Sequence, residues 1–255
     1  EENEGGGRRM VEDGLFEKFP CDAVYGLHNM PGQPLGRVST RPGPMMSASD
    51  TWEVRFHGDG GHGAMPHRGS DPTMAAASFM SALSTIVARN VPAQDWAVIS
   101  IGHIAAGAAD SPNIIPAEVL LRGTSRSFRP EIRDLIEWRL EELSRGAAAM
   151  HGCTADPVFT RRYPPLVNSA DETARAVRAA SHNAGAANVD GKAPAMGASE
   201  DFAYMLERVP GAYVNIGIGE KAAFVHTPRY DFADAIIPDG VAYWINIVGE
   251  ELGRD

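Results

Sequence analysis

A pair of adjacent carboxylates and three widely spaced histidines are the residues best suited to chemistry. Glu1 and Glu2 precede a run of three glycines, Gly5–Gly7. His28 ends the segment Gly-Leu-His, His62 lies within Gly-Gly-His-Gly-Ala, and His226 precedes Thr-Pro. Carboxylate oxygens and imidazole nitrogens are ligands for divalent ions such as zinc, manganese, cobalt or nickel. Neighbouring side chains leave the backbone in different directions, so one of two adjacent glutamates can bind metal while the other faces a water. The glycines around His62 let a backbone or a ligand approach closely. The spacing of the set is long-range, and by residue type alone a loop histidine is more often a surface residue than a ligand. His57, His67, His103, His151 and His182 read as ordinary core or surface side chains.

These residues need elements to hold them. Asp22–Leu27 reads as a buried strand, which puts His28 at its carboxyl end, where open α/β sheets bind ligands. Residues 31–44 are rich in Pro and Gly and read as an extended loop or a poorly paired strand. The small, polar segment 45–50 reads as a hinge. From Thr51 the pattern becomes regular. Strands are expected over 52–57, 96–104, 117–127 and 154–163. Helices are expected from Pro72, with Asp71 as N-cap, to Asn90, and from Pro130 to Ala149. That order, strand, helix, strand, strand, helix, strand, is the ferredoxin-like βαββαβ unit. After Pro165 the pattern returns to α/β. Helices are expected at 171–184, 199–207 (capped by Ser199) and 241–252, with a strand at 212–218. The fold class is therefore α/β. Residues 1–50 and 164–255 form a metal-binding catalytic domain, interrupted by an inserted domain over 51–163.

Composition narrows the partners. The 255 residues carry a net charge of −10, against the basic face that nucleic acids and anionic membranes require. No apolar run approaches a membrane span. Two cysteines, Cys21 and Cys153, cannot build a disulfide framework and read as small core residues. With no secretory leader visible, the expected location is cytoplasmic.

Seven segments occur in order: Glu-Glu with three glycines, Tyr-Gly-Leu-His-Asn, Gly-Gly-His-Gly-Ala-Met-Pro-His, Asn-Ile-Ile-Pro-Ala, Tyr-Pro-Pro-Leu-Val-Asn, Ser-Glu-Asp-Phe-Ala and His-Thr-Pro-Arg-Tyr-Asp-Phe. The ordered set covers essentially the whole chain. It resembles the M20 metallopeptidase superfamily, and within it the amidohydrolase branch of hippurate hydrolases, N-acyl-amino-acid hydrolases and auxin-conjugate hydrolases. The resemblance implies two divalent ions and a homodimer formed through the inserted domain. It implies Glu1 as general base and Glu2, His28 and His226 as metal ligands. His62 would serve an active site, usually the partner subunit's, and Asn113 and Arg126 would face a small-molecule substrate. The family's other ligands come from a Cys-Gly-His-type segment ahead of the Glu-Glu pair. These residues contain none, so an incomplete catalytic domain lacking its N-terminal part is expected.

The expected activity is hydrolysis of the amide bond of N-acyl amino acids, with hippurate-like substrates first. A deacetylase of N-acetyl-diaminopimelate type is the alternative within the enzyme class. An inactive dimerisation or binding fragment is the alternative outside it.

Overall fold

The computed structural model describes residues 5–253. Glu1 and Glu2 lie outside them. In chain order the elements are α1 (Gly6–Glu12), α2 (Leu15–Lys18), β1 (Val24–Met30), β2 (Val38–Ser39), β3 (Gly43–Met46), β4 (Ala48–His57), β5 (Gly61–His62), α3 (Pro72–Thr85), β6 (Ala97–Ala106), β7 (Ile114–Ile115) and β8 (Glu118–Ser127). There follow α4 (Pro130–Met150), β9 (Thr154–Tyr163), β10 (Leu166–Asn168), α5 (Ala170–Ala184), β11 (Val189–Asp190), α6 (Ala203–Leu206), β12 (Gly211–Gly217) and α7 (Ile237–Leu252). The chain divides into two compact units, residues 1–46 with 166–255, and residues 47–165.

The second unit is built on a four-stranded antiparallel sheet, in the order β6-β8-β4-β9, with two helices on one face and a separate short β5–β7 ladder. Period-two alternation explains β4. Trp52, Val54 and Phe56 are buried against Phe79 of α3 and Ile136 and Leu140 of α4, while Glu53, Arg55 and His57 face outward. The outward face is held by cross-strand charges: Glu53 accepts from Arg55 and Arg122, and Arg55 also pairs with Glu118. Trp52 lies across Gly123, its partner in the ladder; a Cβ there would come within 2.2 Å of the indole. Asp71 caps α3 by accepting from Thr73 N at 2.8 Å, with Pro72 at the first helical position.

The expected hinge at 45–50 is instead buried throughout. Met45 and Met46 end β3 and Ala48 starts β4, so the passage between units narrows to Ser47. The boundary between the two units in sequence falls inside this segment, between Met46 and Ser47. Asp50, on β4, is 1% exposed and forms a two-pronged ion pair with Arg133 of α4, at 3.0 Å to Nε and 2.5 Å to Nη2. It also accepts from Arg162 N at 3.2 Å.

The first unit is a four-stranded mixed sheet, β1-β12-β2-β11, with a separate β10-β3 ladder. One face of β12 supplies Ala212, Val214 and Ile216 to a core shared with Ala176, Ala179 and Ala180 of α5 and Tyr243 and Ile247 of α7. The alanines let α5 approach closely. The other face carries Tyr213, packed with Met45, Met46, Leu166 and Ala203. Asn168 clamps this side. Its amide donates to the Arg41 and Tyr213 carbonyls at 2.9 and 3.1 Å, and its oxygen accepts from Tyr213 N at 2.8 Å.

Three local expectations are corrected. Ser199 does not cap α6, which begins four residues later at Ala203. Cys21 is exposed; only Cys153 joins a core. His28 lies inside β1 rather than beyond it, because the strand continues through Asn29 to Met30 in register with β12.

Candidate active site

His28 is placed by β1. It pairs in parallel register with Asn215 of β12, and its ring centroid lies 6.4 Å from that of Tyr213. Its Nδ1 sits 2.5 Å from the carbonyl oxygen of Asn29. A carbonyl can only accept, so Nδ1 carries a proton, and in the neutral ring Nε2 presents a lone pair. This is the arrangement of a metal-ligating imidazole, whose second nitrogen is held by a backbone acceptor.

His226 is tied to the same strand end through its loop. Tyr230 donates its hydroxyl to Asn29 Oδ1 at 2.9 Å. Thr227 Oγ1 bonds the Phe224 carbonyl at 2.8 Å, and Tyr230 N bonds the Thr227 carbonyl at 3.0 Å, which winds the loop tightly. Met30 and Gly32 are stitched to the chain leaving β12, through Ile218 N to the Met30 carbonyl and Gly32 N to the Gly219 carbonyl. His226 has φ 63°, the only non-glycine with positive φ among the described residues. L-residues reach that region at a cost.

The segment Ser199-Glu200-Asp201-Phe202 contributes two carboxylates that sequence reasoning left without a role. Asp201 Oδ2 accepts from Gly7 N at 2.6 Å, at the start of α1 and five residues after Glu2. A Cβ on Gly7 would lie 2.8 Å from the Asp201 carbonyl oxygen, so the contact demands glycine. Glu200 accepts from the Tyr213 hydroxyl at 2.5 Å and from Phe202 N at 3.3 Å. Two adjacent acids, with no basic neighbour, were the available signal.

Among the described residues, no group of three or more His, Cys, Asp or Glu side chains is close enough to hold an ion. His28 and His226 fit as part of a ligand set by donor type. The third expected ligand, Glu2, and the expected base, Glu1, lie outside the described residues.

The remaining candidates belong to the second unit. His62 and Asn113 are brought together by the short β5–β7 ladder, where Gly63 N donates to the Asn113 carbonyl at 2.7 Å. His62 Nδ1 accepts from Ala64 N at 3.1 Å, so its neutral ring carries the proton on Nε2 and exposes a donor. Its tautomer is the opposite of that of His28. Arg126 stands on β8, half-buried, donating to the Ser125 carbonyl at 2.9 Å and to Thr124 Oγ1. Burial lowers its pKa, against the opposing field of Asp50.

The model of peptidase family M20/M25/M40 matches residues 1–250. An N-acetyldiaminopimelate deacetylase of Lactococcus lactis subsp. cremoris is 37% identical over 87% of this chain and 58% of its own length. A hippurate hydrolase of Campylobacter jejuni is 33% identical over 97% of this chain and 64% of its own. The chain thus spans about three-fifths of the length of these relatives. Among solved structures, the Bacillus subtilis YXEP protein, described as a dinuclear metal binding peptidase from the M20 family, superposes with a TM-score of 0.76 at 25% identity, covering 96% of this chain and 61% of that one. The chain belongs to peptidase family M20/M25/M40.

Proposed function

We propose that this chain carries much of the machinery of a metal-dependent amidohydrolase acting on N-acyl amino acids. The opposite tautomers of His28 and His62 are the observation that carries the reading. His28 offers a lone pair to a cation, and His62 offers a proton to an anion. Family membership and the two named hydrolase relatives support it.

His28, His226 and Glu2 would hold divalent ions, whether zinc, manganese, cobalt or nickel. Bound there, two such ions supply Lewis acidity toward the amide carbonyl and make a water acidic enough to attack near neutral pH. Glu1 takes the proton of the attacking water and delivers it to the leaving amine nitrogen. His62 donates from Nε2 to the carbonyl oxygen as it gains negative charge. Arg126 forks the free carboxylate of the substrate, and Asn113 adds an amide donor. Asn29, Tyr230 and the Asp201–Gly7 contact hold the loops that present these groups.

In this reading residues 1–50 and 164–255 are the catalytic domain. Residues 51–163 are a ferredoxin-like insert that forms a homodimer and brings His62 to the partner's substrate. Its spatial strand order, fourth, first, third, second, supports that description. A cytoplasmic setting is supported by two free thiols.

Hippurate-like substrates stand first, and N-acetyl-diaminopimelate-type deacetylation is the second reading, favoured by the 37% identity to such an enzyme. The test loads the purified protein with Mn2+, Zn2+, Co2+ or Ni2+ and measures glycine released from hippurate and acetate released from acetylated amino acids. Benzoyl preference supports the first reading and acetyl preference the second. Metal-loaded protein that cleaves neither would leave only a binding or dimerisation fragment.

A further inference from the structure

The sheet face that carries His28 also carries a buried amide that the fold leaves unused. Along β12 the core residues Ala212, Val214 and Ile216 alternate with Tyr213 and Asn215. Asn215 stands opposite His28 in the parallel ladder and opposite Ser39 in the antiparallel one. Directly paired residues share a face, so the three polar side chains form one row across three strands. The His28 ring lies beside that of Tyr213, two residues before Asn215, as this requires.

The outer members of the row are satisfied. Ser39 Oγ donates to Gln33 Oε1 at 3.0 Å, and His28 Nδ1 donates to the Asn29 carbonyl. Asn215 is 2% exposed, and its Oδ1 meets no hydrogen-bond donor among the described residues. An asparagine in a central strand is a poor strand former, and a buried amide oxygen without a donor destabilises the fold. An apolar residue closer to it in volume, such as valine, would suit the strand better.

We propose that Asn215 is a positioning residue of the His28 site, whose Oδ1 accepts a hydrogen bond from a donor that arrives with the ligand. That donor is a water held with a divalent ion or the amide N–H of the substrate. The inference rests on the metal-dependent reading above. The orphaned oxygen is then a preorganised acceptor, kept at the expense of stability because ligand binding completes it.

The test compares wild type with Asn215→Leu, Asn215→Ala and Asn215→Asp, the last keeping an acceptor oxygen at the same place. Thermal unfolding is followed without metal and during titration with Mn2+ alone, and kcat and KM for hippurate are measured in saturating Mn2+. If the donor is water, the apparent Kd for Mn2+ rises about tenfold in the Leu and Ala variants and recovers in Asn215→Asp. If the donor is the substrate amide, Mn2+ affinity is unchanged and KM rises about tenfold with little change in kcat. The Ala variant cannot overfill the site, so it must show the same loss even if the Leu variant folds poorly. Unchanged Mn2+ affinity together with unchanged KM in the Ala variant overturns the inference while the metal-dependent reading stands. Wild type that shows no response to Mn2+ overturns both.

Discussion

Replacing Asp201 tests how the first turn of α1 is held, and with it the approach to the Glu-Glu pair. The Asp201 carboxylate accepts from Gly7 N at 2.6 Å, 194 residues away in sequence. Gly7 is buried, and Gly5 enters the helix with φ 64° and no side-chain cap. The Asp201 carboxylate therefore does a cap's work from a distant segment. A hydrogen bond to a charged acceptor contributes about 1.5–3 kcal/mol. A negative charge at a helix N-terminus adds about 0.3–1 kcal/mol. Asp201→Ala should therefore destabilise by about 2–4 kcal/mol. Asp201→Asn, which keeps an acceptor oxygen without the charge, should lose about half of that. At roughly 2–4 °C per kcal/mol for a chain of this size, the Ala variant should melt several degrees lower. Amide exchange at Gly7 should accelerate in step, since its acceptor is gone. If Glu1 and Glu2 serve as proposed, a loosened Gly7 five residues on should cost kcat heavily, because misplacement of about 1 Å can cost roughly 100-fold. A melting temperature within about 1 °C of wild type, with Gly7 exchange unchanged, would refute the reasoning.

Other perturbations probe the supports. Tyr243 is 1% exposed with its hydroxyl unpaired in the α5–α7 core, and burial raises its pKa strongly. Tyr243→Phe should stabilise by about 1 kcal/mol in urea unfolding, and a loss of stability would mean the hydroxyl is bonded. Asp50→Ala strands the Arg133 guanidinium in the second unit's interior and should cost about 3–5 kcal/mol, with Asp50→Ala/Arg133→Met recovering most of it in a double-mutant cycle. Additive losses in that cycle would contradict the pairing. Hydrogen bonds from Arg178 and then His182 lower the pKa of Glu250. A depressed carboxylate stabilises the folded state above its unfolded pKa of about 4.3, and that contribution is lost as pH falls through the lower folded value. Melting temperature followed from pH 6 to pH 3 should fall less steeply in Glu250→Gln than in wild type.

The elements were legible where period and punctuation agreed. Asp71-Pro72 announced α3, and the alternation of Trp52, Val54 and Phe56 announced β4, because each pattern is set by local backbone geometry. The burial of 45–50 was not legible for a tertiary reason: Ser47, Ser49 and Asp50 are polar yet buried, with Asp50 satisfied by Arg133, distant in sequence. Cys21 failed in the opposite sense, since a small apolar residue has no period that reports exposure. Residue type singled out His28, His62 and His226, but the tautomers of His28 and His62 depend on the Asn29 carbonyl and the Ala64 amide, which only the folded backbone aims. The contacts of Asp201 and Tyr230 join segments far apart in sequence, and the orphaned oxygen of Asn215 exists only in the folded strand, so no local period reports them.

Near the strand that holds His28, two described positions break local rules. His226 occupies a left-handed backbone conformation at φ 63°, which glycine would adopt about 1 kcal/mol more cheaply. Asn215 holds an amide oxygen without a donor inside a central strand. Tyr230 joins the loop of the first to the strand beside the second through Asn29, so the two costs fall within one connected set of residues. A sequence shaped only for stability would relieve each separately, with glycine at 226 and a small apolar residue at 215. That both remain is what the roles proposed above for the imidazole and the amide would require.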